Sequence, residues 1–126
     1  MKKILAILIP VFAFLLCLSC EHHEQMGFPK SVYFSKEGGE QVISGNNRLT
    51  KVQIENISFP EVTYEMLDSV NETIATHYRW ISITHTYGSS DFHIKVAPNT
   101  TGKKRNVILN PYNDPDYAII KVEQGR

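Results

Sequence analysis

Alternation of apolar with polar residues is the dominant pattern of the chain after residue 30. Successive side chains of a β-strand point to opposite faces, so a two-residue period predicts strands with one buried face. The apolar positions of these predicted strands are Val32 and Phe34, Val52 and Ile54, Phe92, Ile94 and Val96, Val107 and Leu109, and Ile120 and Val122. The pattern predicts an all-β protein.

Turn-forming residues separate the predicted strands. Gly38 and Gly39 indicate a turn after the first strand. The segment 98–102 (PNTTG) is expected to join two strands as a hairpin, and 110–116 (NPYNDPD) to join the next pair. Six or seven short strands in one domain favour an antiparallel β-sandwich over an α/β fold.

The stretch 65–77 (EMLDSVNETIATH) does not follow this alternation clearly. Met66, Leu67, Val70 and Ile74 would suit one face of a short helix, whereas the threonine-rich end suits a strand. We expect an inserted loop or an irregular strand.

The chain begins with the features of an export signal. Lys2 and Lys3 precede an apolar run, Ile4–Leu18, which is short for a membrane span. Residues 1–19 are therefore expected to be a signal peptide. Residues 20–30 are polar and aperiodic and are expected to form a tether, which leaves 31–126 as the domain.

The sequence Leu18-Ser19-Cys20 resembles the lipobox of bacterial lipoproteins, although Cys17 stands where that family usually has leucine. The resemblance implies cleavage before Cys20, acylation of its thiol and anchoring in the cell envelope. The protein would be an outer-membrane lipoprotein on either the periplasmic or the surface face. The alternative is an ordinary secretory signal with two incidental cysteines.

Composition narrows the possible chemistry. The chain has 13 basic and 13 acidic residues, and two lysines lie in the signal, so the mature protein is slightly acidic. Its only basic cluster is 103–105, which argues against a nucleic-acid partner. No cysteine follows Cys20, which excludes thiol catalysis and cysteine-ligated zinc in the domain.

Several segments resemble the BACON domain (Bacteroidetes-associated carbohydrate-binding often N-terminal). They are Val32–Gly39, Trp80–Ile83, the strand pair Ile94–Leu109 and the closing strand Ile120–Gly125. The segment Lys51–His77 departs from that family. The resemblance implies an immunoglobulin-like sandwich of about seven strands that binds carbohydrate or mucin or acts as a rigid spacer.

Catalytic and metal-binding patterns are weak. No nucleophile elbow or phosphate-binding loop occurs, so we expect no enzyme activity and no cofactor. The five histidines are scattered, whereas zinc needs three or four convergent ligands, so no metal is expected. Asn113, Asp114 and Asp116 would suit calcium, but this sequence is also typical of a turn.

Aromatic residues are the better candidates for binding. Tyr87, Tyr112 and Tyr117 lie in or beside predicted loops and are expected to share a rim; alternatively, Tyr117 packs into the core and Tyr112 covers it. Trp80 is the fourth candidate. It lies on the face opposite Ile81 unless a bulge intervenes, yet a lone tryptophan is usually a core anchor of a sandwich.

These patterns lead to competing functional hypotheses. The first is a lipid-anchored, non-catalytic module that binds glycan or mucin, or a partner in a surface polysaccharide-handling apparatus. The second is a purely structural spacer or accessory subunit without a small ligand. A small hydrolase or inhibitor would need a polar cleft that the sequence does not indicate.

Overall fold

Residues 22–126 form two packed β-sheets in the computed structural model, which describes this part of the chain. The predicted all-β sandwich is confirmed, but with eleven described strands rather than about seven. The described residues form eleven strands: β1 (His22–His23), β2 (Ser31–Phe34), β3 (Gly39–Ser44), β4 (Lys51–Ile54), β5 (Thr63–Asp68), β6 (Thr73–Tyr78), β7 (Ile81–Thr86), β8 (Asp91–Val96), β9 (Arg105–Asn113), β10 (Asp116–Tyr117) and β11 (Ile120–Gln124). The number is larger than predicted because short strands such as β1 and β10 have no clear alternation of their own. The predicted signal peptide and the lipidation at Cys20 lie outside the described residues.

The first sheet is built around β9. One edge of β9 pairs antiparallel with β10 and then β11, and the other edge pairs with β4. Strands β1 and β2 pair parallel with β10 and β11. The sheet is therefore mixed rather than antiparallel throughout, because the start of the described chain runs alongside its end.

The second sheet is antiparallel, in the order β3-β8-β7-β6-β5. The expected hairpin between β8 and β9 is wrong, since β8 lies in this sheet and β9 in the other. The Asn99 amide nitrogen donates to the carbonyl oxygens of Lys103 (2.7 Å) and Gly125 (2.9 Å), which fixes the crossing between sheets. The predicted antiparallel pair around 110–116 is confirmed as β9 and β11, but residues 110–113 belong to β9 rather than to the turn, and the short strand β10 lies between the two along the chain.

The alternating apolar positions form the core between the sheets. The residues predicted to face inward are all buried: Val32, Phe34, Val52, Ile54, Phe92, Ile94, Val96, Val107, Leu109, Ile120 and Val122. Removing this apolar surface from water stabilises the fold. The turn at Gly38 is also confirmed: its φ is +78°, and a Cβ there would collide with the Val96 carbonyl oxygen.

The expected tether, residues 20–30, is packed onto the domain from His22 onward. Met26 and Phe28 are buried in the core, and the Phe28 ring lies 5.8 Å from that of Phe92. Gln25 fastens the segment, because its side-chain amide donates to the Ile119 carbonyl oxygen at 2.9 Å. Two apolar side chains in a polar stretch thus supply core contacts that the local pattern does not indicate.

The stretch 65–77 belongs to a hairpin of β5 and β6, with a register irregularity between Met66 and Asp68. The expectation of an irregular strand agrees with this arrangement, and the helical alternative is wrong. Val70 lies exposed in the turn between the strands. None of the described residues forms a helix long and apolar enough to cross a bilayer.

Candidate functional site

Two of the predicted tyrosines stack on the outer face of the first sheet. Tyr112 of β9 and Tyr117 of β10 are direct register partners, which places both side chains on one face. Their ring centroids are 5.5 Å apart with 29° between the planes. The His23 ring lies 6.0 Å from that of Tyr117, and the Lys51 ammonium lies 4.7 Å from the centre of the Tyr112 ring. We call Tyr112 and Tyr117 the tyrosine platform.

The outward position of the platform follows from the register of β4 on β9. Lys51 pairs with Tyr112 and Gln53 pairs with Asn110, whereas the intervening Val52 is buried in the core. Lys51, Gln53 and Tyr112 therefore share the face away from the core. Both platform tyrosines are half-buried, so Tyr117 is not the core residue that the alternative interpretation expected.

A polar groove of about 560 Å³ borders the platform. Amide, carboxylate and hydroxyl groups form most of its wall. Asn110 is held in place because its side-chain amide donates to the Ala118 carbonyl oxygen at 3.1 Å. The groove is lined by Gln53, Ile54, Glu55, Asn56, Ile57, Ser58, Tyr64, Asn110, Tyr112 and Tyr117.

Tyr87 lies in a different place from the platform. It lines a second groove, of about 460 Å³, between β4 and the β5–β6–β7 part of the other sheet. Gln53 and Tyr64 line both grooves. The structure thus pairs two of the three predicted tyrosines and assigns the third to a neighbouring groove, which we call the flank groove.

The flank groove has an apolar mouth that the sequence analysis missed. Tyr64, Met66, Ile74 and Tyr87 line it and are exposed. Register places Tyr64 beside Thr76 and Met66 beside Ile74, on the face that also carries the buried Ile83. The alternation of Tyr64 and Met66 around Glu65 is a strand signal that could have revealed them, but it ends at the irregularity after Met66.

His85 lines the flank groove and is only 8% exposed. Burial lowers the pKa of His85, and the Ser89 carbonyl and the charge of Asp91 oppose that shift. Its Nε2 lies 3.2 Å from the Ser89 carbonyl oxygen, which can only accept, so Nε2 carries the proton. In the neutral form of the ring, Nδ1 is then a hydrogen-bond acceptor.

Trp80 is half-buried in the β6–β7 turn and packs against the core. The Arg105 guanidinium lies 4.7 Å from the centre of its ring. Trp80 was expected either as a core anchor or as a residue on the opposite, exposed face. Both are partly right, because the ring packs against the core and also faces a cation. Trp80 lines a shallow surface with Lys103 and Lys104, apart from both grooves.

The histidine and acidic side chains considered as metal ligands do not come together at one site. Within residues 22–126, no three histidine, aspartate or glutamate side chains come together as a metal site. His93 lies 3.2 Å from a Glu40 carboxylate oxygen, and His77 lies 2.9 Å from the Ser82 hydroxyl. Among the calcium candidates, Asp114 meets the Thr50 hydroxyl at 3.5 Å, which is a weak contact.

Comparisons with known proteins give no family. No family model matches the chain, and no curated protein matches it. One solved structure that resembles it is an NMR structure of a protein from Bacteroides thetaiotaomicron, with 14% sequence identity and a TM-score of 0.48. The match covers 80% of this chain and 84% of that one.

Proposed function

We propose that this protein is an exported, lipid-anchored, non-catalytic module of the BACON type that binds a glycan on the tyrosine platform. The observation that carries the proposal is the stacked pair, Tyr112 and Tyr117, beside a groove lined by amides and a carboxylate. A sugar ring offers an apolar face of C–H groups and a rim of hydroxyls. The two surfaces of this site match those two features.

Each part of the site has a distinct role in the proposal. Tyr117 and Lys51 lie against the Tyr112 ring, so the exposed parts of the two tyrosine rings supply the apolar area. Rings held in this way lose little conformational freedom on binding. Gln53 and Glu55 beside them can exchange hydrogen bonds with sugar hydroxyls. Lys51 over the Tyr112 ring adds a hydrogen-bond donor at the edge of the site.

Lipidation at Cys20 would limit the orientation of the domain. Strand β1 begins two positions after Cys20, at His22, and two residues reach about 7 Å when extended. The backbone N–H of His22 donates to the Pro115 carbonyl oxygen at 3.1 Å. An acylated Cys20 would therefore hold the β1–β10 edge close to the bilayer, and the platform would face a glycan near the membrane surface.

The test uses residues 21–126 as a soluble protein on an array of mucin and plant glycans. Saturable binding is expected for the wild type, with a loss of about two- to tenfold for Tyr112→Ala because stacking on an aromatic ring contributes about 0.5–1.5 kcal/mol. Tyr33→Ala is the matched control, since Tyr33 is an exposed tyrosine on β2 of the same sheet. Absence of binding by the folded wild type, or equal binding by both variants, would contradict the proposal.

The second candidate is an accessory subunit that docks on another envelope protein and binds no small ligand. One observation favours it: β5 is an exposed edge strand with large apolar side chains. Pull-down from envelope extracts with wild type and a β5 variant would separate this function from glycan binding.

A further inference from the structure

Strand β5 has an open edge. In the described part of the chain it pairs with β6 alone, and the backbone groups on its other side have no strand partner. All of its residues from Thr63 to Leu67 are exposed. Such an edge can accept a further strand, because its unpaired N–H and C=O groups already have strand geometry.

The usual protections of an edge strand are mostly missing from β5. Natural edges carry charged side chains, especially lysine, or internal proline or bulges that prevent pairing. The sequence of β5, TYEMLD, has neither lysine nor proline, and its charges are the carboxylates of Glu65 and Asp68. Its irregularity lies between Met66 and Asp68, so the run Thr63–Met66 keeps a regular register.

Apolar side chains stand along this open edge where a soluble domain would normally place polar ones. Tyr64 is 61% exposed and Met66 is 56% exposed, and both line the mouth of the flank groove. A strand added to β5 would place alternate side chains beside these two, at the mouth of the flank groove. The groove, of about 460 Å³, opens on the same face of the sheet.

Charge identifies the kind of strand that fits. Between Lys51 and Arg79 the chain has no lysine or arginine and five acidic residues, Glu55, Glu61, Glu65, Asp68 and Glu72. A second copy pairing through β5 would bring the acidic groups of both strands together, which is destabilising. A basic segment would instead meet complementary charge.

We infer that β5 docks an extended segment of another protein in which apolar residues alternate with lysine or arginine. The segment joins the second sheet as a sixth strand, with its backbone paired to Thr63–Met66. Its apolar side chains pack against Tyr64 and Met66 at the mouth of the flank groove, and its basic side chains meet Glu65 and Asp68. This docking does not depend on glycan binding at the tyrosine platform.

The probe is a capped seven-residue peptide of alternating lysine and valine, titrated into residues 21–126 and followed by backbone amide NMR. Saturable shifts are expected along β5 and β6. An equivalent peptide of glutamate and valine should bind at least about tenfold more weakly. Two N-methylated peptides are compared, one modified at its odd-numbered residues and one at its even-numbered residues. Only one of them should lose binding, because alternate N–H groups of a strand point to the same neighbouring strand.

Variants locate the contact. Met66→Lys should weaken binding by at least about tenfold, because it adds a like charge beside the added strand. Val42→Lys is the matched control: Val42 is 65% exposed on β3, the opposite edge of the same sheet. Both substitutions are on exposed side chains, so unchanged melting curves verify that the variants fold. Tyr112→Ala should leave peptide binding intact, which separates this inference from the glycan proposal.

Three results would overturn the inference. Equal binding by Met66→Lys and Val42→Lys would mean that the peptide does not bind at β5. Equal affinity for the basic and acidic peptides would remove the role of charge. Concentration-dependent dimerisation of the wild type that Met66→Lys abolishes would identify a second copy of this chain as the occupant.

Discussion

Gln124 joins three segments of the fold through one buried side chain that is 1% exposed. Its amide nitrogen donates to the carbonyl oxygens of Ala97 (2.8 Å) and Ser35 (3.1 Å), with a longer contact to Lys36 at 3.4 Å. Its amide oxygen accepts from Nε of Arg105 at 2.7 Å. Replacing Gln124 with alanine removes all of these contacts from the closing strand.

The expected cost follows from what the partners keep. The three carbonyl oxygens retain second donors, namely the backbone N–H groups of Gly38 and Asn99 and the Arg105 guanidinium. The loss is therefore two neutral hydrogen bonds at about 1 kcal/mol each and one to a charged group at about 1.5–3 kcal/mol. We expect Gln124→Ala to lower the free energy of unfolding by about 4 kcal/mol, a large part of the 5–15 kcal/mol typical of a domain.

The assay is urea unfolding followed by the fluorescence of Trp80, the single tryptophan of the chain. With a slope of about 1.5 kcal/mol/M, the midpoint should fall by about 2–3 M. Glu123→Ala is the control, since that side chain is exposed and should shift stability by less than about 0.5 kcal/mol. A Gln124→Ala midpoint that falls no further than that of Glu123→Ala would show that these hydrogen bonds do not stabilise the fold.

Two further predictions concern the start of the domain and its buried histidine. Phe28→Ala should lower the free energy of unfolding, measured by thermal denaturation, by about 3–5 kcal/mol because the ring is buried against Phe92. If this segment were only a tether, the substitution would have no measurable effect. Because burial lowers the pKa of His85, the unfolded state binds its proton more readily, so stability should fall as the pH drops through about 6.5. His85→Gln should flatten this part of the stability profile, and an unchanged slope would argue against it.

Strand positions and core faces were predictable because they are local properties. The alternation of Phe92, Ile94 and Val96 with polar residues predicts which face of the strand is buried. This prediction does not require knowing which strand pairs with it. The turn at Gly38 was predictable for a similar reason, since glycine readily adopts the positive φ found there.

The candidate site was predictable only in part. Tyr112 and Tyr117 were identified from the sequence, but they were expected in loops and instead stack across two paired strands. Their register depends on how β10 aligns with β9, and Tyr87 lies in another groove because β7 belongs to the other sheet. The apolar mouth at Tyr64 and Met66 was missed because an alternating strand pattern does not say whether its apolar face is covered.

The alternating pattern is enough to predict an all-β chain, the position of most strands and which of their side chains face inward. Only the folded structure shows that β8 and β9 lie in different sheets, that Met26 and Phe28 complete the core, and that β5 has an open edge. The difference comes from the range of the interactions. Side-chain period and turn chemistry act over a few residues, whereas strand partners and exposed edges depend on hydrogen bonds and packing between segments far apart in the chain.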